Sequence, residues 1–230
     1  MATIKFNVIA EARGSINGTT YARNRAGAYA RNRSVPVNPG SPRQDVVRAA
    51  VGTLAARWRD TLTNGQREAW DVYALDTPRP NKVGDPINVG GLGMYVRGNV
   101  PRIQAGLSIV DNGPLLPGVP EVGLVSINTN AGGAFTVDYD DTLPWTNQNG
   151  GALLIYLSAN KSPALNFFKG PYRFAGLVAG NATTAPTSPA TVAWPFGNAP
   201  TAGNQIFLRA VVVDQSARLS NDSNDAYIAV

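Results

Sequence analysis

Residues 21–33 read Tyr21-Ala22-Arg23-Asn24-Arg25-Ala26-Gly27-Ala28-Tyr29-Ala30-Arg31-Asn32-Arg33, so one pentapeptide occurs twice with three small residues between its copies. If Arg25-Ala26-Gly27 forms a loop, its third residue, Gly27, suits the left-handed conformation that closes a short hairpin loop. The repeat therefore predicts a β-hairpin with a three-residue loop. In that register Tyr21 lies opposite Arg31 and Arg23 opposite Tyr29, which predicts one face of phenol and guanidinium groups in cation–π contact.

The region around this repeat is basic and lacks local compensation. Residues 13–43 contain six arginines, no lysine and no acidic residue. Planar guanidinium groups favour bidentate or stacked partners, such as carboxylates, phosphates and aromatic rings. The alternative is a solvated edge hairpin whose arginines only prevent aggregation, but an isolated hairpin is marginally stable in water. We therefore predict an acidic partner, bound by Tyr21, Arg23, Arg25, Tyr29, Arg31, Arg33 and Arg43.

The composition excludes several classes of enzyme. The 230 residues include no cysteine and no histidine, which removes disulfides, thiolate nucleophiles, zinc sites that use histidine, and triads with an imidazole base. The net charge of +5 is unevenly placed: residues 1–110 hold 15 basic and 7 acidic side chains, and residues 111–230 hold 5 and 8. The basic surface therefore belongs to the first half.

Two helices are predicted after the basic region. Ser41 is a typical N-cap, Pro42 a typical first helical residue, and Gln44 completes a capping box. Apolar residues then recur at helical spacing and predict an amphipathic helix of about five turns: Val47, Val51, Leu54, Trp58 and Leu62.

A second capping box, Thr63 to Gln66, predicts the next helix, which places Trp70 and Tyr73 inward. Residues 41–75 thus have the pattern of a helical hairpin, with its tryptophans as core anchors. A short third helix is predicted from Gly91, ending near Pro101.

The second half has the pattern of a β-protein. Residues 112–120 are rich in proline and glycine and predict a linker. Seven strand candidates follow, and their spacing predicts an antiparallel sandwich: 123–128, 135–139, 153–158, 174–178, 191–194, 206–213 and 226–230. We therefore predict an α+β chain in which a docking region, residues 1–111, carries the arginine-rich hairpin and the helical hairpin, and residues 121–230 form the β-sandwich.

One acidic cluster offers candidate chemistry. On a strand, Asp138 and Asp140 point the same way about 7 Å apart, with Asp141 adjacent, which is compatible with a metal site, a glycosidase pair or a solvated face. Calcium needs more oxygen ligands than this sequence places nearby, and the aromatic platform for a sugar is at most Trp145. We expect no metal, no cofactor and no catalysis. Three further acids are expected to be solvated: Asp214, Asp222 and Asp225.

Residues 14–107 resemble a little-characterised group of proteins encoded by tailed bacteriophages and prophages. The resemblance is carried by Gly14-Ser15-Ile16-Asn17-Gly18-Thr19-Thr20, the arginine/tyrosine repeat, Pro36-Val37-Asn38-Pro39, Trp58, Ala69-Trp70 and Tyr95-Val96-Arg97-Gly98-Asn99. Residues 206–214 with Arg218-Leu219-Ser220 resemble the last two strands of fibronectin-type or immunoglobulin-like sandwiches. They depart from that pattern in having Phe207 where a corner tyrosine is expected.

The resemblance implies a virion structural protein rather than an enzyme. The expected role is capsid decoration, or cementing: the basic region docks on the major capsid protein or another virion protein, the sandwich faces outward, and copies associate within the virion. A head–tail connector or a tail-fibre anchor is the closest alternative.

A hairpin that binds nucleic acid by stacking Tyr21 and Tyr29 is the rival from another class, although we expect only weak, nonspecific DNA affinity. The sequence shows neither a signal peptide nor a segment long enough to span a bilayer. We therefore expect a protein that is made in the host cytoplasm and located in the virion, with no membrane partner.

Overall fold

The computed structural model describes residues 2–3, 13–24, 27–35, 37–38, 40–81, 85–131 and 134–229. Contacts divide the chain into two compact units, Met1–Ser41 and Pro42–Val230. The first consists of antiparallel strands, and the second combines helices with antiparallel sheets. The predicted α+β class is confirmed. The division into units falls after Ser41, whereas the sequence suggested one at residues 112–120.

The first unit is a four-stranded antiparallel sheet in the order β1-β4-β3-β2. Its strands are β1 (Ala2–Thr3), β2 (Gly14–Ile16), β3 (Thr19–Asn24) and β4 (Gly27–Asn32). The predicted hairpin is confirmed as β3 and β4. A second tight turn, with Asn17 at φ 51°, joins β2 to β3. The alternating pattern of residues 4–9, which predicts a further strand, lies outside the described residues.

The register of the hairpin differs from the predicted one by a single residue. Tyr21 pairs with Ala30 and Arg23 with Ala28, so the loop has two residues instead of three. Gly27 pairs with Asn24 in the ladder and does not occupy the loop. Since side chains alternate between faces along a strand, a one-residue slip moves every side chain of one strand to the opposite face. The expected mixed face is therefore wrong: Tyr21 and Arg23 lie on one face, and the second copy of the pair lies on the other.

The second unit begins with a layer of three helices, α1 (Pro42–Asp60), α2 (Asn64–Asp76) and α3 (Gly91–Gln104). The capping box from Thr63 to Gln66 is confirmed in both directions. Helices α1 and α2 each pack mainly on α3 and hardly on each other. The predicted pair is thus part of a three-helix layer, in which Tyr95 of α3 contacts Trp58 and Trp70, each at 5.5 Å between ring centroids.

Two local expectations for the helices need correction. The apolar stripe of α1 is buried at Leu54, but Val47 and Val51 near its start are each 39% exposed. Helix α3 continues through Pro101 to Gln104. A proline so near the end removes only one helical hydrogen bond, and the N–H of Ala105 still donates to the carbonyl of Pro101. A two-stranded ribbon of β5 (Arg79–Pro80) and β6 (Pro86–Ile87) precedes α3.

The rest of the unit is the predicted sandwich, and each of its seven predicted strands is confirmed to within a few residues. The strands are β7 (Ser126–Ala131), β8 (Ala134–Asp138), β9 (Ala152–Leu157), β10 (Arg173–Ala179), β11 (Ala190–Ala193), β12 (Gln205–Val213) and β13 (Ser223–Ile228). They form sheets in the orders β11-β8-β7 and β10-β9-β12-β13, and both sheets contribute side chains to one core. The fourth strand of the sandwich, β10, pairs with the third, β9. In constant-type immunoglobulin domains the fourth strand instead lies in the sheet that contains the first and second strands.

The four-stranded sheet is covered on both faces. Alternate residues of β12, such as Leu208 and Val212, point into the sandwich core, and the residues between them point outward. Outward-facing Val211 and Val213 are buried against Ala105 and Leu107, which follow α3 directly. The helical layer and the sandwich therefore share a hydrophobic cluster, which explains why they form one compact unit.

The segment 112–120 has no helix or strand, as predicted, but it is fastened to the helical layer. The hydroxyl of Tyr73 donates to the carbonyl of Gly118, whose N–H donates to the hydroxyl of Thr77. Gln66 donates to Asn112. Within the described ranges, no helix is long and apolar enough to cross a membrane.

Candidate functional site

The predicted partner-binding residues are distributed over both units. Within the four-stranded sheet of the first unit, hereafter the arginine sheet, Arg23 and Arg31 are exposed on opposite faces. Tyr21 and Tyr29 are half-buried beside them. Arg33 follows β4 and is exposed, whereas Arg25 lies outside the described residues. Arg43 is exposed in the first turn of α1 and belongs to the second unit.

The arginine sheet has no core of its own among its described residues. Every buried residue of the described chain has a number of 50 or higher, so none lies in Met1–Ser41. A sheet ordinarily needs a hydrophobic face packed on another layer for stability. Small side chains, Ala28 and Ala30 on one face and Ala22 on the other, leave room for another surface to approach closely.

The acidic cluster is used in local structure. Asn128 donates to the carboxylate of Asp138 at 2.9 Å. The hydroxyl and N–H of Thr142 both donate to Asp140 and lower the pKa of its carboxyl. The N–H of Ser188 donates to Asp141. Asp138 thus stabilises the pair of β7 and β8, Asp140 its own turn, and Asp141 the distant segment at Ser188. Within the described ranges no group of three or more acidic side chains is arranged to hold a metal.

Burial decides two further points about this half of the chain: it excludes one possible sugar platform, and it overturns one expectation. Trp145 is only 2% exposed and belongs to the sandwich core, so it offers no platform to a sugar. Asp214 is 2% exposed rather than solvated, and it accepts hydrogen bonds from the N–H groups of Ser216 and Arg218 and from the guanidinium of Arg218. The turn after β12 needs this buried acceptor. Asp222 is partly exposed and pairs with Arg209, and Asp225 accepts the N–H of Ile127.

A cleft of about 440 Å³ lies between the loop after β9 and the strands β12 and β13. Phe168 of that loop stacks on Phe207, with ring centroids 5.4 Å apart, while its neighbour Phe167 is 75% exposed. The polar wall of the cleft includes the ion pair of Arg209 and Asp222, with Nη2 and Oδ1 2.9 Å apart. The volume is in the range of small-molecule sites.

Arg209 of this ion pair belongs to a group of three arginines from three different elements, hereafter the arginine cluster: Arg79 of β5, Arg97 of α3 and Arg209 of β12. Arg79 donates to Asn221 and Arg209 to Asp222, so two guanidinium groups bind consecutive residues. Burial lowers the pKa of Arg97, and the positive charges of Arg79 and Arg209 lower it further. A cation is costly in such surroundings.

Sequence reasoning missed this cluster. Its one local signal is Arg209, the sole charged residue in the apolar run Ile206–Val213. The three residues are 18 and 112 positions apart, so no motif could have linked them.

Comparisons with protein-family models and with curated proteins find no match to this chain.

Proposed function

We propose that this chain is a phage virion structural protein that docks on an acidic neighbour through its arginine sheet. The favoured role is capsid decoration on the major capsid protein, with copies associating within the virion. A connector or tail-fibre anchor would use the same parts in another place. The proposal rests on the resemblance of residues 14–107 together with the character of the arginine sheet.

The observation that carries the proposal is a charged sheet whose described residues form no core. The described residues of Met1–Ser41 include none that is buried, and residues 13–43 carry six arginines without an acidic residue. Repulsion among these arginines opposes the compact sheet, and burial among its described residues does not offset it. An acidic partner surface would supply both the compensating charge and the burial, since it pairs with the guanidinium groups and covers the small side chains.

The observed register adds a geometric consequence. Because Arg23 and Arg31 lie on opposite faces of the hairpin, a single flat surface can pair with only one of them. A partner that uses both must contact the sheet from two sides. This geometry favours insertion between two neighbouring subunits, which is the arrangement of a protein that cements a lattice.

The test measures incorporation into particles. Substitution of Arg23, Arg31 and Arg33 by alanine should abolish incorporation while the second unit stays folded, because exposed charges contribute little to folding and much to complementary docking. Arg59→Ala is the matched control: Arg59 is also exposed and lies on α1, where it pairs with Asp60. Copies per particle, counted by mass spectrometry against the major capsid protein, give the result.

Single variants then separate one-sided from two-sided docking. If Arg23→Ala and Arg31→Ala each reduce incorporation, the partner contacts both faces. Normal occupancy of the triple variant would overturn the docking proposal. The copy number of the wild-type protein also discriminates between roles, since hundreds of copies indicate decoration and a dozen or fewer indicate a connector or tail component.

The nucleic-acid alternative makes a different demand. Phosphate-dominated binding weakens steeply with salt in proportion to the phosphates contacted. The expected result in a gel-shift assay is weak binding that disappears at physiological salt. Submicromolar binding under those conditions would favour the nucleic-acid reading over docking on a protein.

A further inference from the structure

The arginine cluster carries more positive charge than its neighbours neutralise. Arg79, Arg97 and Arg209 contribute three cations, and Asp222 contributes one nearby carboxylate. The next arginine, Arg218, is already paired with Asp214 at 2.7 Å. The cluster is thus left with two uncompensated positive charges, and around the half-buried Arg97 screening by solvent is reduced.

Arg97 is the member that the fold does not use. It makes no hydrogen bond or ion pair with any described residue, although its side chain is half-buried. Its guanidinium is not sealed from solvent, since it does not belong with the buried unsatisfied groups of the described chain. The Nε of Arg209 also lacks a partner, but it is sealed from solvent. Half-buried polar groups in native proteins ordinarily have partners, so the accessible guanidinium of Arg97 points to a ligand.

We propose that Arg79, Arg97 and Arg209 form a binding site for a doubly charged phosphate group. The charge of the ligand matches the two uncompensated cations. Guanidinium forks pair with tetrahedral phosphate oxygens in bidentate geometry. Two of the three guanidinium groups are held on the consecutive residues Asn221 and Asp222, and Arg97 lies within range of their charges. The site lies within Pro42–Val230 and does not depend on the proposed function of the arginine sheet.

The adjacent cleft extends this site toward an organic ligand. Arg209, a member of the cluster, and its ion-pair partner Asp222 both line the cleft. Lys169, Phe167 and Asn224 line the same cleft. A phosphomonoester bound at the arginines would place its organic part against these aromatic and amide groups. Free phosphate would use the arginines alone.

The experiment is a calorimetric titration of the full chain with inorganic phosphate at about pH 8, where phosphate is mainly doubly charged, at constant ionic strength maintained with chloride. We expect saturable binding of one phosphate per chain. Arg97→Gln should weaken the affinity by about 10- to 100-fold, as expected for loss of a charged hydrogen-bonding partner. This variant should fold normally, and without phosphate it should melt at the same temperature as wild type or higher, because a repelled, half-buried cation is removed.

Two further variants complete the design. Arg79→Gln should also weaken binding, and it tests the cluster independently of α3. Arg173→Gln is the matched control, because Arg173 is half-buried over the ring of Phe196 at 4.4 Å and lies outside the cluster; its affinity should equal that of wild type. Absence of saturable binding in the millimolar range, or equal affinity of wild type and Arg97→Gln, overturns the proposal.

A parallel titration with glucose 6-phosphate distinguishes the sources of the phosphate group. Tighter binding than that of inorganic phosphate assigns the cleft to an organic phosphomonoester. Equal affinities assign the site to free phosphate, and both results support the proposed site.

Discussion

Arg102 offers the sharpest test of how the helical layer is joined to the sandwich. It lies in the last turn of α3 and is only 1% exposed. Its Nε donates to the carbonyl of Ser108 at 2.8 Å, and its Nη1 donates to the carbonyls of Gly150 and Asp214 at 2.8 and 2.9 Å. One side chain thus connects the helix to two loops of the sandwich. Burial lowers its pKa, so its stabilising contribution depends on these three bonds.

The variant Arg102→Met retains the apolar stem and removes the guanidinium. Three carbonyl groups then lose their donor, and each unsatisfied buried group costs about 1–3 kcal/mol. Release of the buried charge from its desolvation penalty offsets part of this cost. The expected loss is about 3–5 kcal/mol, comparable with breaking a buried ion pair by removing one partner. For a chain of this size, such a loss lowers the melting temperature by roughly 6–20 °C.

Guanidinium chloride denaturation of the full chain, followed by tryptophan fluorescence, measures the loss. Arg59→Met is the control, because Arg59 is exposed and its guanidinium pairs with its neighbour Asp60; no measurable change is expected. A loss below about 1 kcal/mol for Arg102→Met, close to the scale of ordinary surface substitutions, would refute the reasoning, since it would mean that water or relaxed loops satisfy the carbonyls equally well.

Three other outcomes follow from single sites. Hydrogen bonds from the guanidinium of Arg57 are the main reason that the pKa of the Asp111 carboxyl is lowered. The contribution of Asp111 to folding stability is therefore complete above the ordinary aspartate pKa and is lost as pH falls through the lowered value. The free energy of unfolding, measured against pH in acid, should fall less steeply in Asp111→Asn than in wild type. A methyl group at Gly98 would collide with the backbone carbonyl of Ala217, so thermal melting of Gly98→Ala should show destabilisation of at least about 1–3 kcal/mol. The double variant Asp138→Asn with Asp140→Asn should leave particle assembly and infectivity unchanged; normal assembly with lost infectivity or lost degradation of host glycan would contradict the non-enzymatic reading.

Much of the local structure could be predicted from the sequence alone. The capping box from Thr63 to Gln66 defines the start of α2, because its hydrogen bonds join residues three positions apart. The apolar runs of the second half define seven strands for the same reason: alternation and turn residues act over a few neighbouring positions. The basic character of residues 13–43 is likewise a property of the sequence. This character is the reason for proposing the arginine sheet as a docking surface.

The register of the hairpin could not be predicted from the sequence. A two-residue and a three-residue loop are both compatible with the repeat, and the choice depends on how the strand twist is matched across the turn. That choice decides whether Arg23 and Arg31 share a face. The sequence also could not predict that the helical layer and the sandwich form one unit. That unit depends on contacts of the outward face of β12 with Ala105 and Leu107, which lie more than a hundred residues earlier in the chain.

The arginine cluster and the burial of Asp214 are the clearest products of tertiary structure. Arg79, Arg97 and Arg209 are separated along the chain, and each is ordinary in its local context. Only packing of α3 and the β5–β6 ribbon beside the four-stranded sheet gives them a common environment. Charge interactions depend on distance in space and on local dielectric, neither of which is encoded in the spacing of residues along a chain.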